Sequence, residues 1–230
     1  MKNLIQLAFI ILAFSSFMVS GTIKGNVKFV GGAPKPKPLK LSAECGSLSK
    51  KAHMSESLVV NDGNLANVLV WVEYKGKVAP PKTNVVLDQV GCVYSPHVIG
   101  IQSGQELLIK NSDPVLHNIH SMPKTNKSFN FAMPSVVKEK KAKFDKSEAP
   151  FYIKCDVHPW MKSWVGVFDH PYYAVTDSKG NFTIENVPAG KYEVVAWQEK
   201  FGIKRVKKAP ATVGEGTTAL NFSFERPKKK

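Results

Sequence analysis

The sequence predicts an all-β protein, a sandwich or barrel of short strands. Three observations predict it. Short stretches alternate apolar and polar residues; turns rich in Gly, Pro, Asn and Asp separate them; and no stretch sustains a 3.6-residue apolar period. The chain has 230 residues, 43% of them hydrophobic, which is enough for one or two domains with real cores.

The elements follow in order. Lys2, the apolar run "LIQLAFIILAFSSFMV" and the small residues Ser20 and Gly21 describe a secretory leader over residues 1–21, cut near Gly21. An uncleaved anchor is the alternative, and no later segment is apolar enough to span a bilayer. Export places the protein in the periplasm or outside the cell. Strand patterns then run through "TIKGNVKFV", "NVLVWVEY", "HVIGIQ", "ELLIK", "FYIKC", "WVGVF", "NFTIENV" and "YEVVAW". Turns fall at "NDGN", "NSDP", "DSKGN" and "PAGK". A short helix could sit near Glu44 and Cys45 or over "SFNFAMPS".

"GTIKGNVKFVGGAPKP" with "LANVLVWVE", and much later "AVTDSKGNFTIENVPAGKYEVVAW", resemble the two halves of a carboxypeptidase regulatory-like domain. That resemblance implies a small prealbumin-type sandwich formed by 22–80 with 171–227. A second β-domain over 81–170 would be carried on one of its loops, and 228–230 would be a basic tail.

The net charge is +14, from 32 Lys plus Arg against 18 Asp plus Glu. The lysines are scattered through "KPKPLK", "KEKKAK", "KRVKK" and the final "KKK". Such a surface attracts polyanions, anionic membranes or acidic partner proteins. It lacks the arginine and aromatic pattern of a nucleic-acid groove, so no nucleic acid is expected.

"KCDVHPWMKSW" spaces Cys155, His158 and Met161 three residues apart. These are donors that soft transition metals prefer. A copper site uses a thiolate, two imidazoles and often a weak axial thioether, so one more histidine is needed. "NSDPVLHNIHS" offers His117 and His120, and in an extended segment residues three apart face opposite sides. One of the two can then face the metal. Zinc accepts Cys and His, but methionine is a poor zinc ligand. The chain has three cysteines, and export implies an oxidising compartment. If Cys155 holds metal, Cys45 and Cys92 are left to form one disulfide; three buried thiols are the alternative.

"ELLIKNSDPVLHNI" followed by "FYIKCDVHPWM" resembles a cupredoxin, a blue copper protein of Greek-key β-sandwich fold. The C-x-x-H-x-x-M loop is similar to that of amicyanin. With "LDQVGCVYSPHVIGIQSGQ" upstream, the chain also resembles exported bacterial methylamine utilisation or plastocyanin-like proteins. The cupredoxin resemblance implies one type 1 copper held by His117, Cys155 and His158, with Met161 axial. It implies that Asn118 ties the two ligand-bearing loops together, with its backbone N–H facing the cysteine sulfur. It further implies that His158 reaches the surface through an apolar patch where a redox partner docks. Pro159, Trp160 and Lys162 would form that patch, and an acidic partner would suit the lysines.

His53, His97, His120 and His170 are left as hydrogen-bonded histidines, with a second metal site built from some of them as the alternative. The expected role is an electron carrier or relay. A copper-handling protein and a non-catalytic surface module are the alternatives. No nucleophilic triad, paired-acid pattern, phosphate loop or haem motif is present, so no enzyme is expected.

Overall fold

A computed structural model describes residues 19–48 and 52–226. The expected leader thus falls outside the described residues up to residue 18, as does the tail at 228–230. In chain order the elements are β1 (Ser20–Val30), helix α1 (Ala43–Leu48), β2 (Val60–Asn61), β3 (Asn64–Leu65), β4 (Leu69–Val72), β5 (Val85–Val90) and β6 (Val93–Ser95). Next come β7 (Val98–Gln102), β8 (Glu106–Asn111), β9 (His117–Ser121), β10 (Asn130–Met133), β11 (Glu139–Lys143), β12 (Glu148–Lys154) and β13 (Lys162–Phe168). The chain continues with β14 (Tyr173–Val175), β15 (Asn181–Pro188), β16 (Gly190–Trp197), β17 (Lys207–Val213), β18 (Gly216–Ala219) and β19 (Phe222–Glu225). The protein is all-β. No helix among the described residues is long and apolar enough to cross a membrane.

Among the described residues, four sheets pair around two cores. In the first sandwich, β1 pairs with β15, β18, β19 and β3, and β2 extends β3. This sheet faces one ordered β14-β4-β16-β17. Their inward residues, among them Ile23, Val27, Val70, Ile184, Val194, Ala196 and Phe224, form one core. In the second sandwich the sheets are β10-β9-β12-β13-β7 and β11-β8-β5-β6. Leu87, Ile101, Ile109, Ile119, Ile153 and Val165 lie between them. The period-2 alternation of "ELLIK" and "FYIKC" is what allows this, since every second side chain points inward.

A third cluster, Leu69, Trp71, Val98, Phe168, Val195 and Trp197, joins the two sandwiches. Gly100 on β7 and Gly166 on β13 are directly opposed across the ladder. A Cβ at Gly100 would overlap the Tyr173 ring, and one at Gly166 would overlap Leu69. The two missing side chains therefore make the recess into which the first sandwich docks.

Two expectations are corrected. "SFNFAMPS" contains strand β10, which pairs with β9, and not a helix. The chain position of Cys45 puts it with the first sandwich, but α1 packs it into the second core, beside the half-buried Leu41 and Leu48. Two backbone bonds, Leu39 N–H to His53 O and Ser55 N–H to Lys37 O, each 2.8 Å, close the neck of this excursion. Its head is tied by the Cys45–Cys92 disulfide, which pairs the cysteines as expected.

His170 sits at the exit of the second sandwich, buried against Tyr74 and Tyr172. Its Nδ1 accepts the Tyr172 N–H at 3.1 Å. Burial pushes its pKa down to about 4, against a small upward pull from Asp169. The unfolded chain therefore takes up this proton first. The stability from neutral His170 is complete above about pH 6.5 and is lost as pH falls toward about 4. A shift of this size corresponds to about 3 kcal/mol, and partial hydration of the ring reduces the expected loss to about 2 kcal/mol. Melting temperatures of metal-free His170→Phe should be lower at pH 7 but flatter over this window than those of the unaltered protein. Parallel pH curves for the two would refute this.

Candidate metal centre

The site lies where β9 and the loop after β12 meet. His117 opens β9, and Cys155, His158 and Met161 lie on the loop between β12 and β13. In β9 the period of two separates the histidines as expected. His117 points inward with 0% exposure, whereas His120 is half-exposed and its Nδ1 lies 2.9 Å from Asp156 Oδ2. The loop is a tight turn. Met161 N–H donates to His158 O at 2.9 Å, and Cys155 N–H donates to Met161 O at 3.3 Å. Cys155, His158 and Met161 are all buried in this turn.

The donors converge. His117 Nδ1 is 3.0 Å from His158 Nδ1, which is 3.8 Å from Cys155 Sγ. Ligand atoms of His117, Cys155 and His158 all lie within 4.8 Å of one another. An ion with bonds of about 2.0 Å to nitrogen and about 2.3 Å to sulfur holds such donors roughly 3–4 Å apart. The residues present therefore fit a metal, and the soft thiolate and thioether suit copper.

Asp113, which the motif did not single out, organises this site from behind. It is buried, and its Oδ2 is 2.8 Å from His117 Nε2. It also accepts the backbone N–H of Gly91 at 2.7 Å and of Cys92 at 2.8 Å. Gly91 and Cys92 form the two-residue turn between β5 and β6, both with positive φ, 65° and 57°. A non-glycine residue is disfavoured there, and the carboxylate and the disulfide hold it in place. With Nε2–H donated to Asp113, the Nδ1 lone pair of His117 is free for a metal. The only sequence signal was the i, i+4 spacing of Asp113 and His117.

The electrostatics agree with this. Burial pulls His117 down, but Asp113 and Cys155 together raise its pKa to about 9. Burial pushes the Cys155 thiol up, yet the His117 bond and backbone N–H groups of His158, Val157 and Asn118 bring it below its ordinary value. A metal ion bound by the sulfur and by Nδ1 of His117 takes the place of any proton held there. Tyr94, its hydroxyl bonded to Asn118 O, is held well above the usual tyrosine range by burial and by Cys155.

Asn118 Oδ1 accepts Asp156 N–H at 3.1 Å, while its Nδ2 donates to Asn130 Oδ1 at 2.7 Å. It therefore links β9, β10 and the ligand loop. Of the expected docking patch, Pro159 is exposed, and Lys162 lies over the Tyr152 ring at 4.9 Å. Trp160 is half-buried, 5.1 Å from the His158 ring, with Nε1 donating to Cys92 O at 2.9 Å. His158 does not reach the surface as the resemblance implied. It is 5% exposed, because the disulfide that pins α1 packs beside it.

The other histidines lie apart. His97 bonds Glu199 at 2.6 Å, and the ring Nε2 of His53 is buried without a partner. Among the described residues none of His53, His97, His120 and His170 joins a group of three metal-type donors.

A family model described as polysaccharide lyase family 4, domain II, matches residues 156–220. No curated protein matches the sequence. Among solved structures, a copper-containing nitrite reductase from Thermus scotoductus SA-01 aligns over 43% of this chain at 20% identity and TM-score 0.35; the match spans 25% of the reductase. A methionine-to-alanine mutant of amicyanin in its Cu(I) form aligns over 43% of this chain and 97% of its own, at 15% identity and TM-score 0.33. A purple cupredoxin from Nitrosopumilus maritimus aligns over 33% of this chain and 81% of its own, at 29% identity and TM-score 0.28.

Proposed function

We propose that this is an exported, mononuclear type 1 copper protein that carries electrons one at a time and is not an enzyme. His117, Cys155 and His158 would bind the ion, with Met161 axial. The observation that carries this reading is the convergence of two imidazole Nδ1 atoms, 3.0 Å apart, on the sulfur of Cys155. Bound copper would supply a one-electron couple. This chain's contribution is a buried donor set held before metal arrives. Asp113 fixes the His117 ring, Asn118 fixes the loop, and backbone N–H groups face the sulfur. A fixed set needs little rearrangement between oxidation states, and it leaves no open position for substrate.

With His158 covered, electrons would pass through Trp160, which packs on its ring and lines a groove with Pro159 and Lys162. An acidic redox partner would suit a chain of net charge +14. Voltammetry of the copper-loaded protein tests the reading. A reversible one-electron couple that persists over repeated cycles is expected. Loss of copper on each reduction would instead indicate a protein that takes up and releases the metal.

A further inference from the structure

The disulfide lies against the candidate metal centre. Cys45 and Cys92 are both fully buried. Their sulfurs and a ring nitrogen of His158 all lie within 4.8 Å of one another. Cys92 Sγ also lies within 4.8 Å of donor atoms of Asp113 and His117. A disulfide sulfur is a poor metal ligand, whereas a thiolate is among the best for copper(I).

We propose that Cys45 and Cys92, once reduced, form a second copper(I) site of two thiolates beside His158. The inference rests on the reading of the first site given above. Reduction consumes two electrons and two protons: the S–S bond breaks, two thiols form, and a dithiol reductant becomes a disulfide. Copper(I) then displaces the two thiol protons. The sulfurs stay close after the bond opens, for two reasons visible in the fold. The neck of the excursion is held by the Leu39–His53 and Ser55–Lys37 backbone bonds, and α1 keeps its apolar contacts with the second core. The turn bearing Cys92 is held by Asp113. Copper load would thereby follow thiol redox state, with one ion when the pair is oxidised and two when it is reduced.

The test uses the mature chain, oxidised or reduced with a phosphine that is then removed without oxygen, and titrates copper(I) against a chromophoric copper(I) chelator. Oxidised protein should take one equivalent and reduced protein two. A Cys45→Ser, Cys92→Ser double variant should take one after either treatment. Reduced protein that stops at one equivalent, or a double variant that takes two, overturns the proposal. If the double variant does not fold, the oxidised–reduced comparison of the unaltered chain decides alone. If instead the first-site reading fails, oxidised protein takes none and shows no thiolate–copper(II) colour, while the gain of one equivalent on reduction still stands.

Discussion

Replacing Asp113 with alanine is expected to weaken copper binding about 10–100-fold and to cost the metal-free fold about 3–5 kcal/mol. The size follows from what this one carboxylate does. It is the acceptor for the buried N–H groups of Gly91 and Cys92, at 2.7 and 2.8 Å, and for Nε2 of His117 at 2.8 Å. Each buried donor left without a partner costs about 1–3 kcal/mol, and more when it is charged. The hairpin turn loses the contact that holds Cys92 at positive φ. Nothing then selects the His117 tautomer with a free Nδ1, and loss of such an outer partner typically lowers metal affinity by about 10–100-fold. Asp113→Asn keeps the shape but turns one acceptor into a donor, so it should recover part of the stability and less of the affinity. Chemical unfolding without metal and a copper competition titration measure the two effects. Affinity and stability both unchanged in Asp113→Ala would show that the carboxylate does not organise the site.

Most strands could be read from the chain because their side chains alternate; the same parity allowed only one of His117 and His120 to face the metal, and the cupredoxin resemblance picked His117. Strands made by pairing and not by their own pattern were not legible. β11, "EKKAK", shows no apolar face; it forms because β8 offers an open edge, and its lysines keep that edge soluble. β17 carries Pro210, which argues against a central strand, and it lies at the rim of its sheet. β10 owes its form to a neighbouring strand distant from any local signal. The donors at the centre were legible because metal chemistry restricts which residue types can serve and at what spacing. Asp113 was not, since a buried carboxylate and a turn residue in "NSDP" look alike until the fold brings Gly91 and Cys92 to it. The cover over His158 was also hidden. It comes from α1, which stands among strands of the first sandwich in sequence but packs on the second.

The central claim is that Cys155 is a thiolate ligand to a single copper, completed by His117 from another strand. Three variants follow. Cys155→Ser should remove the intense absorption altogether, because the sulfur is its source, while weak copper binding can persist. His117→Ala should lose the same absorption and roughly 100-fold or more in affinity, since it deletes one of two imidazoles that lie 3.0 Å apart. His120→Ala should change neither, because its ring faces Asp156 on the opposite side of β9. The most direct measurement is the visible spectrum of the mature protein titrated with copper(II). An intense blue or green thiolate-to-copper band that saturates at one equivalent, and is absent in Cys155→Ser, is the predicted result. Copper bound without such a band, or a band that survives in Cys155→Ser, would contradict it.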